Sequence, residues 1–183
     1  MSDDKRNKMI SELSGDMPNL PWVQSITEKN RKTTLKQELP IAIREANPDD
    51  VGFIFNSWLS TMRHRGFASE VADAIYFAEQ HRLIERILKT ATARIACAVN
   101  DPNIILGYMI SEKVLGFTCV HFTYVKASYR GLGIFNKLLT DINYDWENST
   151  GIYSHYSSIV AKKIANAKNL HYHPYVLLNS EER

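Results

Sequence analysis

Several things are scarce in this sequence, and each scarcity closes off a class of protein. Cysteine occurs twice in 183 residues. Cys97 and Cys119 follow no metal or redox spacing, and each sits in an apolar run. They are expected as buried free thiols of a reducing compartment, behaving as small core hydrophobes. Apolar runs are short. None approaches the ~20 residues of a membrane span, so no membrane partner is expected. Met1–Lys8 is polar and no apolar stretch follows it, which predicts no secretory signal and a cytoplasmic protein. The net charge is only +2, and tight nonspecific binding to nucleic acid is not expected. His155, His171 and His173 have no carboxylate or cysteine at useful spacing, so no metal is expected. What the sequence does have is the 44% hydrophobic and 23% charged content of a globular domain, in a chain long enough to bury a core without staples.

Residues 1–39 differ from the rest. They hold Pro18, Pro21 and the polar run Thr27–Lys36, with few regularly spaced apolar residues. This segment reads as a polar N-terminal extension, whose apolar island Met17–Val23 is expected to dock on the domain or on a partner. Residues 40–183 read as one domain. Ile41–Ala46 alternates as a strand should. Asn47-Pro48-Asp49-Asp50 supplies an N-cap, a first-turn proline and acids. A helix should follow, with Val51, Ile54, Phe55, Trp58, Leu59 and Met62 on one face. A second helix is expected over Ser69–Lys89, its stripe drawn from Val71, Ile75, Phe77, Ala78, Leu83, Ile84, Ile87 and Leu88. Strands are expected at Arg94–Val99, Ile104–Val114 and Phe117–Lys126, turning at Asn100–Asn103 and Leu115-Gly116. Then come a helix at Ile134–Glu147 with Trp146 on its inner face, a strand at Gly151–Tyr156, a helix at Ser158–Lys168 and a strand at His171–Leu178. The order β-α-α-β-β-β-α-β-α-β predicts an α+β fold, a mixed, mostly antiparallel sheet with helices on both faces.

The segment His121–Phe135 carries the chemistry. A strand runs through the glycine-containing turn Ser128–Gly133 into an amphipathic helix. Such a turn collects backbone N–H groups at the positive end of a helix, which is a phosphate-binding geometry. Arg130 adds a charged donor. A junction whose glycines merely satisfy turn geometry is the competing reading. The spacing is neither G-x-x-x-x-G-K-[ST] nor G-x-G-x-x-G, which excludes the Walker A loop and the dinucleotide fingerprint.

Tyr124-Val-Lys-Ala-Ser-Tyr-Arg-Gly-Leu-Gly-Ile134 resembles the acetyl-CoA-binding motif [QR]-x-x-G-x-[GA] of the Gcn5-related N-acetyltransferases (GNAT), with Arg130 and Gly133 in its first two fixed positions. The element order from Ile41 to Leu178 resembles that fold too. Phe55–Leu59, His121 with Tyr124–Lys126, and the ending His173–Leu178 are similar to small GNAT-like proteins of bacteriophages. The resemblance implies acetyl-CoA as acyl donor, held by Tyr124, Val125, Arg130, Gly131, Leu132, Gly133, Ile134 and Phe135. It departs from the motif at Phe135, where the family has glycine or alanine. It departs again after the next strand: Ser158 and Ala161 match N-x-x-A in part, but Ala165 stands where the family's acidic tyrosine would be.

Direct acyl transfer needs a base for the attacking amine, an oxyanion donor and an acid for the departing thiolate. In the fold implied, the strand before the turn lines the reacting centre. By alternation Cys119, His121 and Thr123 share one of its faces. His121, with an ordinary pKa of about 6.5, is either the base or a sheet histidine bonded to a neighbour. Tyr153, His155 and Tyr156 are acid candidates or packing residues. Glu112 reads as a surface acid, and nothing in the sequence activates Cys119 as a nucleophile. Arg63-His64-Arg65-Gly66 either meets an anionic acceptor or the 3′-phosphate of CoA, or is a solvated turn. Three functions follow as expectations. The first is an N-acyltransferase acting on an unknown primary amine. The second is a catalytically lapsed GNAT-fold structural or virion-associated protein, with a homodimer or virion partners engaged through the extension. The third is phage DNA-base modification. Localisation is expected in the host cytoplasm, or with the virion if phage-encoded.

Overall fold

The computed structural model describes residues 40–63, 66–156 and 166–177. The readings of residues 1–39, of His64 and Arg65, of Leu178 and of the helix carrying Ser158, Ala161 and Ala165 lie outside the described residues. The elements run β1 (Ile41–Glu45), α1 (Val51–Arg63), α2 (Asp73–Thr90), β2 (Thr92–Ala98), β3 (Asp101–Val114), β4 (Phe117–Val125), α3 (Ile134–Asp141), β5 (Gly151–Tyr153) and β6 (Leu170–Tyr172). Among the described residues the six strands form one sheet in the order β1-β2-β3-β4-β5-β6. Pairing is antiparallel from β1 to β4, then parallel from β4 to β5 and β5 to β6. This is the mixed, mostly antiparallel α+β sheet that the element order predicts, with helices on both faces.

Local chemistry explains the joints. Asn47 accepts from the Asp49 and Asp50 amides at 3.0 and 3.3 Å, and its own N–H donates to Asp50 at 2.8 Å, a complete capping box. Asp50 also accepts from Arg44 at 2.6 and 2.8 Å, which ties the start of α1 to β1. The guanidinium, followed by the Asn47 backbone bond, holds the Asp50 carboxyl below its usual range. Leu115 and Gly116 take φ of 52° and 84°, the pair of left-handed residues that a tight hairpin requires.

Trp58 and Ile54 of α1, Ile84 and Ile87 of α2, and Ile95, Tyr108, Ile110 and Phe122 of the sheet form one core cluster. Trp58 is fully buried and stacks on Phe122 at 4.6 Å between centroids.

Several elements differ from the sequence reading. The second helix begins at Asp73, after a 3-10 turn at Gly66–Glu70. Its buried face is set by Tyr76, whose hydroxyl donates to Leu59 O at 2.8 Å, so Ile75 and Phe77 on either side are exposed. The third helix stops at Asp141 because Asn143 turns the chain with φ of 54°. Trp146 therefore lies outside it, under the Lys168 ammonium at 3.7 Å from the ring centroid. β5 ends at Tyr153. The last strand is Leu170–Tyr172, and Pro174–Leu177 forms a 3-10 turn, consistent with a proline that has no N–H to give a ladder.

Candidate active site

The site opens where two parallel strands part. The β4–β5 ladder stops at Val120 and Tyr153, while β4 continues to Val125. A cavity of about 350 Å³ fills the wedge. One wall is β4 from Val120 to Val125, a second is the turn Tyr129–Gly131 with Ile134 and Phe135, and a third carries Tyr153 and His155. Thr61 and Met62, at the end of α1, close it. Gly107 of β3 lets β4 lie close: a Cβ there would stand 2.5 Å from Tyr124 O.

The turn is built from backbone. Ala127–Tyr129 forms a 3-10 turn, and Gly131 and Gly133 take φ of 88° and 72°. Gly133 is the N-cap of α3, with no side-chain cap, and no acid stands in the first turn. The leading N–H groups of α3 thus have no side chain of their own to satisfy them. Nothing lies within 4 Å of a Cβ built on either glycine, so the space above the turn is open to an anion. Arg130 is exposed, and its Nε donates to Val125 O at 3.1 Å, which holds the turn against the end of β4.

The opposite wall is a chain of buried side chains. Ile110 pairs with Phe122 and Ser111 with Val120, so His121 is the extra residue of a β-bulge. The bulge breaks the simple alternation expected for this strand. Cys119 and His121 stay together, Sγ to Nδ1 at 3.9 Å, but beyond the bulge Phe122 and Tyr124 pack with Tyr108. Thr123, paired with Met109 between them, falls on the other face. His121 Nε2 lies 3.0 Å from Glu112 Oε1, and His121 Nδ1 lies 2.9 Å from Ser154 Oγ. Ser154 Oγ is in turn 2.8 Å from His155 Nδ1. His155 Nε2 is buried and has no hydrogen-bond partner among the described residues.

Burial lowers the His121 pKa, against a smaller upward pull from Glu112. His155 is pulled down to about 4, by burial first and the nearness of His121 second. Burial and Glu112 push the Cys119 thiol up to about 12, so it is no nucleophile.

Of the residues singled out in the sequence, His121, Tyr124, Val125, Arg130, Gly131, Ile134, Phe135, Tyr153 and His155 line the cavity, whereas Leu132 and Gly133 do not. Burial raises the Tyr153 phenol above its ordinary pKa. Glu112 is corrected from a surface acid to the partner of His121, its side chain 14% exposed. Ser154, 2% exposed, was not singled out at all.

No family model matches the chain, and no curated protein matches it. Its likenesses are to solved structures. One is a possible acetyltransferase from Clostridium difficile 630, 21% identical, covering 73% of this chain and 91% of that one with a TM-score of 0.48. Another is a ribosomal-protein-alanine N-acetyltransferase from Brucella melitensis biovar Abortus 2308, 18% identical, covering 67% and 84% with a TM-score of 0.42. A third is the aminoglycoside N-acetyltransferase AAC(6′)-Iy in complex with CoA, 15% identical, covering 72% and 88% with a TM-score of 0.42. All three are under 25% identical to the chain, with TM-scores below 0.5.

Proposed function

We propose that this protein is an acyl-CoA-dependent N-acyltransferase that moves an acetyl group to a primary amine by direct attack. The observation that carries the reading is the wedge between β4 and β5, with an uncapped, glycine-built helix start at one end and a buried histidine at the other. The residues present fit acyl-CoA. The amides at the start of α3 would hold the pyrophosphate, with Arg130 beside them, and the free edge of β4 at Tyr124 and Val125 would hold the pantetheine arm. Acyl-CoA supplies the activated thioester carbonyl. The chain supplies a water-poor pocket, a basic imidazole and the Tyr153 phenol. In this reading residues 40–183 form the acyl-CoA-binding domain and residues 1–39 a docking extension. Among the described residues no helix is long and apolar enough to cross a membrane.

A second reading, a GNAT-fold protein whose catalysis has lapsed, is favoured by one observation. Phe135 lines the cavity at a position where the family motif has glycine or alanine.

Isothermal titration with acetyl-CoA separates the two. Wild type is expected to bind, and Gly133→Glu to lose binding, because the substitution puts a negative side chain on a φ of 72° at the phosphate position. Wild type that binds no acetyl-CoA would leave the lapsed reading standing.

A further inference from the structure

The reading of this site as an acyltransferase leaves open which atom takes the proton from the amine, and the hydrogen bonds answer that. A carboxylate only accepts, so Glu112 at 3.0 Å requires a proton on His121 Nε2. Neutral His121 then has a bare Nδ1, which accepts the Ser154 hydroxyl proton at 2.9 Å. Ser154 Oγ, having donated, accepts from His155 Nδ1–H at 2.8 Å. Neutral His155 is left with a bare Nε2, and that nitrogen is buried and without a partner among the described residues, in a side chain that lines the cavity. Each ring nitrogen of His121 is engaged, so His121 cannot take a proton from an acceptor without breaking a bond. His155 Nε2 is the vacant position in the chain.

We infer that His155 is the catalytic base, and that Ser154 and His121 form a proton relay in which Glu112 steadies the charge on His121. This rests on the acyltransferase reading. His155 Nε2 takes the proton released as the amine nitrogen bonds to the acyl carbon. His155 Nδ1–H passes to Ser154 Oγ, Ser154 O–H passes to His121 Nδ1, and His121 holds the charge as an imidazolium against Glu112. By the reverse sequence His155 hands the proton to the sulfur that departs with the C–S electron pair, so amine and thioester give amide and thiol. His155 only exchanges one tautomer for the other and never carries net charge. Its depressed basicity, which would make it a poor base alone, is therefore no obstacle. The same return path supplies an acid where the sequence has Ala165 in place of the family's tyrosine. His155 would touch the acceptor; Ser154, His121 and Glu112 act through it as positioning residues.

The test combines spectra, binding and turnover. Long-range 1H–15N spectra of histidine-labelled wild type distinguish a bare ring nitrogen from a protonated one. They are expected to show bare Nε2 and protonated Nδ1 on His155, with the opposite on His121. Thiol release from acetyl-CoA, with benzylamine or water as acceptor, is expected to fall about 100-fold in Ser154→Ala and to recover in Ser154→Thr, with acetyl-CoA affinity unchanged.

The pH profile adds a readout that a merely structural serine would not move. The titratable neighbours of His121 are Glu112 from β3, Cys119 from β4 and His155 beyond β5. In wild type the acid limb of kcat/KM follows His121, below its ordinary value of about 6.5. In Ser154→Ala it should move down toward pH 4, where His155 alone titrates. A protonated His155 Nε2, or Ser154→Ala turning over like wild type, overturns the relay and leaves the acyltransferase reading intact. Wild type that binds acetyl-CoA yet releases no thiol to either acceptor overturns both.

Discussion

The two ends of the cavity are built on opposite principles. The turn at Tyr129–Phe135 is one contiguous stretch with an uncapped helix start, and Arg130, Gly131 and Gly133 are exposed. The far wall brings Glu112, His121, Ser154 and His155 from separate parts of the chain into one hydrogen-bonded line, where His121 and Ser154 are 3% and 2% exposed. The difference follows the work each would do. A phosphate can stay wet while backbone amides hold it, so the turn needs only open space and the right φ. Moving a proton between weak bases needs water excluded and donors held in register, and that takes a packed core.

The strongest way to break this division is Trp58→Ala. Trp58 stacks on Phe122 and meets His155 edge-on at 5.3 Å, so it supports the far wall. Removing it should cost about 3–5 kcal/mol of stability in urea unfolding. In the molecules that remain folded, thiol release should fall while acetyl-CoA affinity holds. Parallel loss of both would mean that the two ends are one mechanical unit.

A smaller effect comes from pH. His121 and His155 are both held below the ordinary histidine value, His155 at about 4. The unfolded chain takes up these protons near pH 6.5, where the folded state refuses them. The contribution is complete above about pH 6.5 and is lost as pH falls toward 4. The melting temperature is therefore expected to drop across that window, and the drop should shrink in His155→Gln. A melting temperature level from pH 6.5 to 4 would refute the buried neutral pair.

The same division explains what could be read from the sequence. The geometry of the turn was legible because it is local: a strand end, Arg130, two glycines and an amphipathic helix appear in chain order. The long strands and α1 were legible from alternation and from the Asn47–Asp50 cap. Of the far wall, His121 and His155 were singled out, but the hydrogen-bonded line that joins them was not legible. Glu112 stands two residues before the end of β3 and looks like a hairpin-end acid until antiparallel pairing sets it opposite Cys119, beside the bulged His121. The bulge itself has no sequence signature, and with it the face expected for Thr123 changed. Ser154 follows a three-residue strand, and although it stands between Tyr153 and His155, a lone serine there carries no pattern of its own. The short elements failed for a related reason. Asn143 ends α3 and Pro174 stands where the last strand gives way to a turn, through single residues that periodicity does not weigh.

Phe135 gives the smallest and sharpest comparison, because it sets an aromatic ring at the start of α3, beside the amides of the turn. It is half-buried and lines the cavity. If the turn works through its amides alone, the ring must be moved aside and held in one rotamer when the phosphates arrive, at about 0.5–1.5 kcal/mol. Phe135→Ala should then tighten acetyl-CoA binding about two- to tenfold by titration calorimetry, with thiol release changing no more than the affinity does. Weaker binding in the variant would instead make the ring part of the grip, stacked on the cofactor rather than in its way. The departure from the motif would then mark a binding residue, and the case for a lapsed enzyme would lose the observation it rests on.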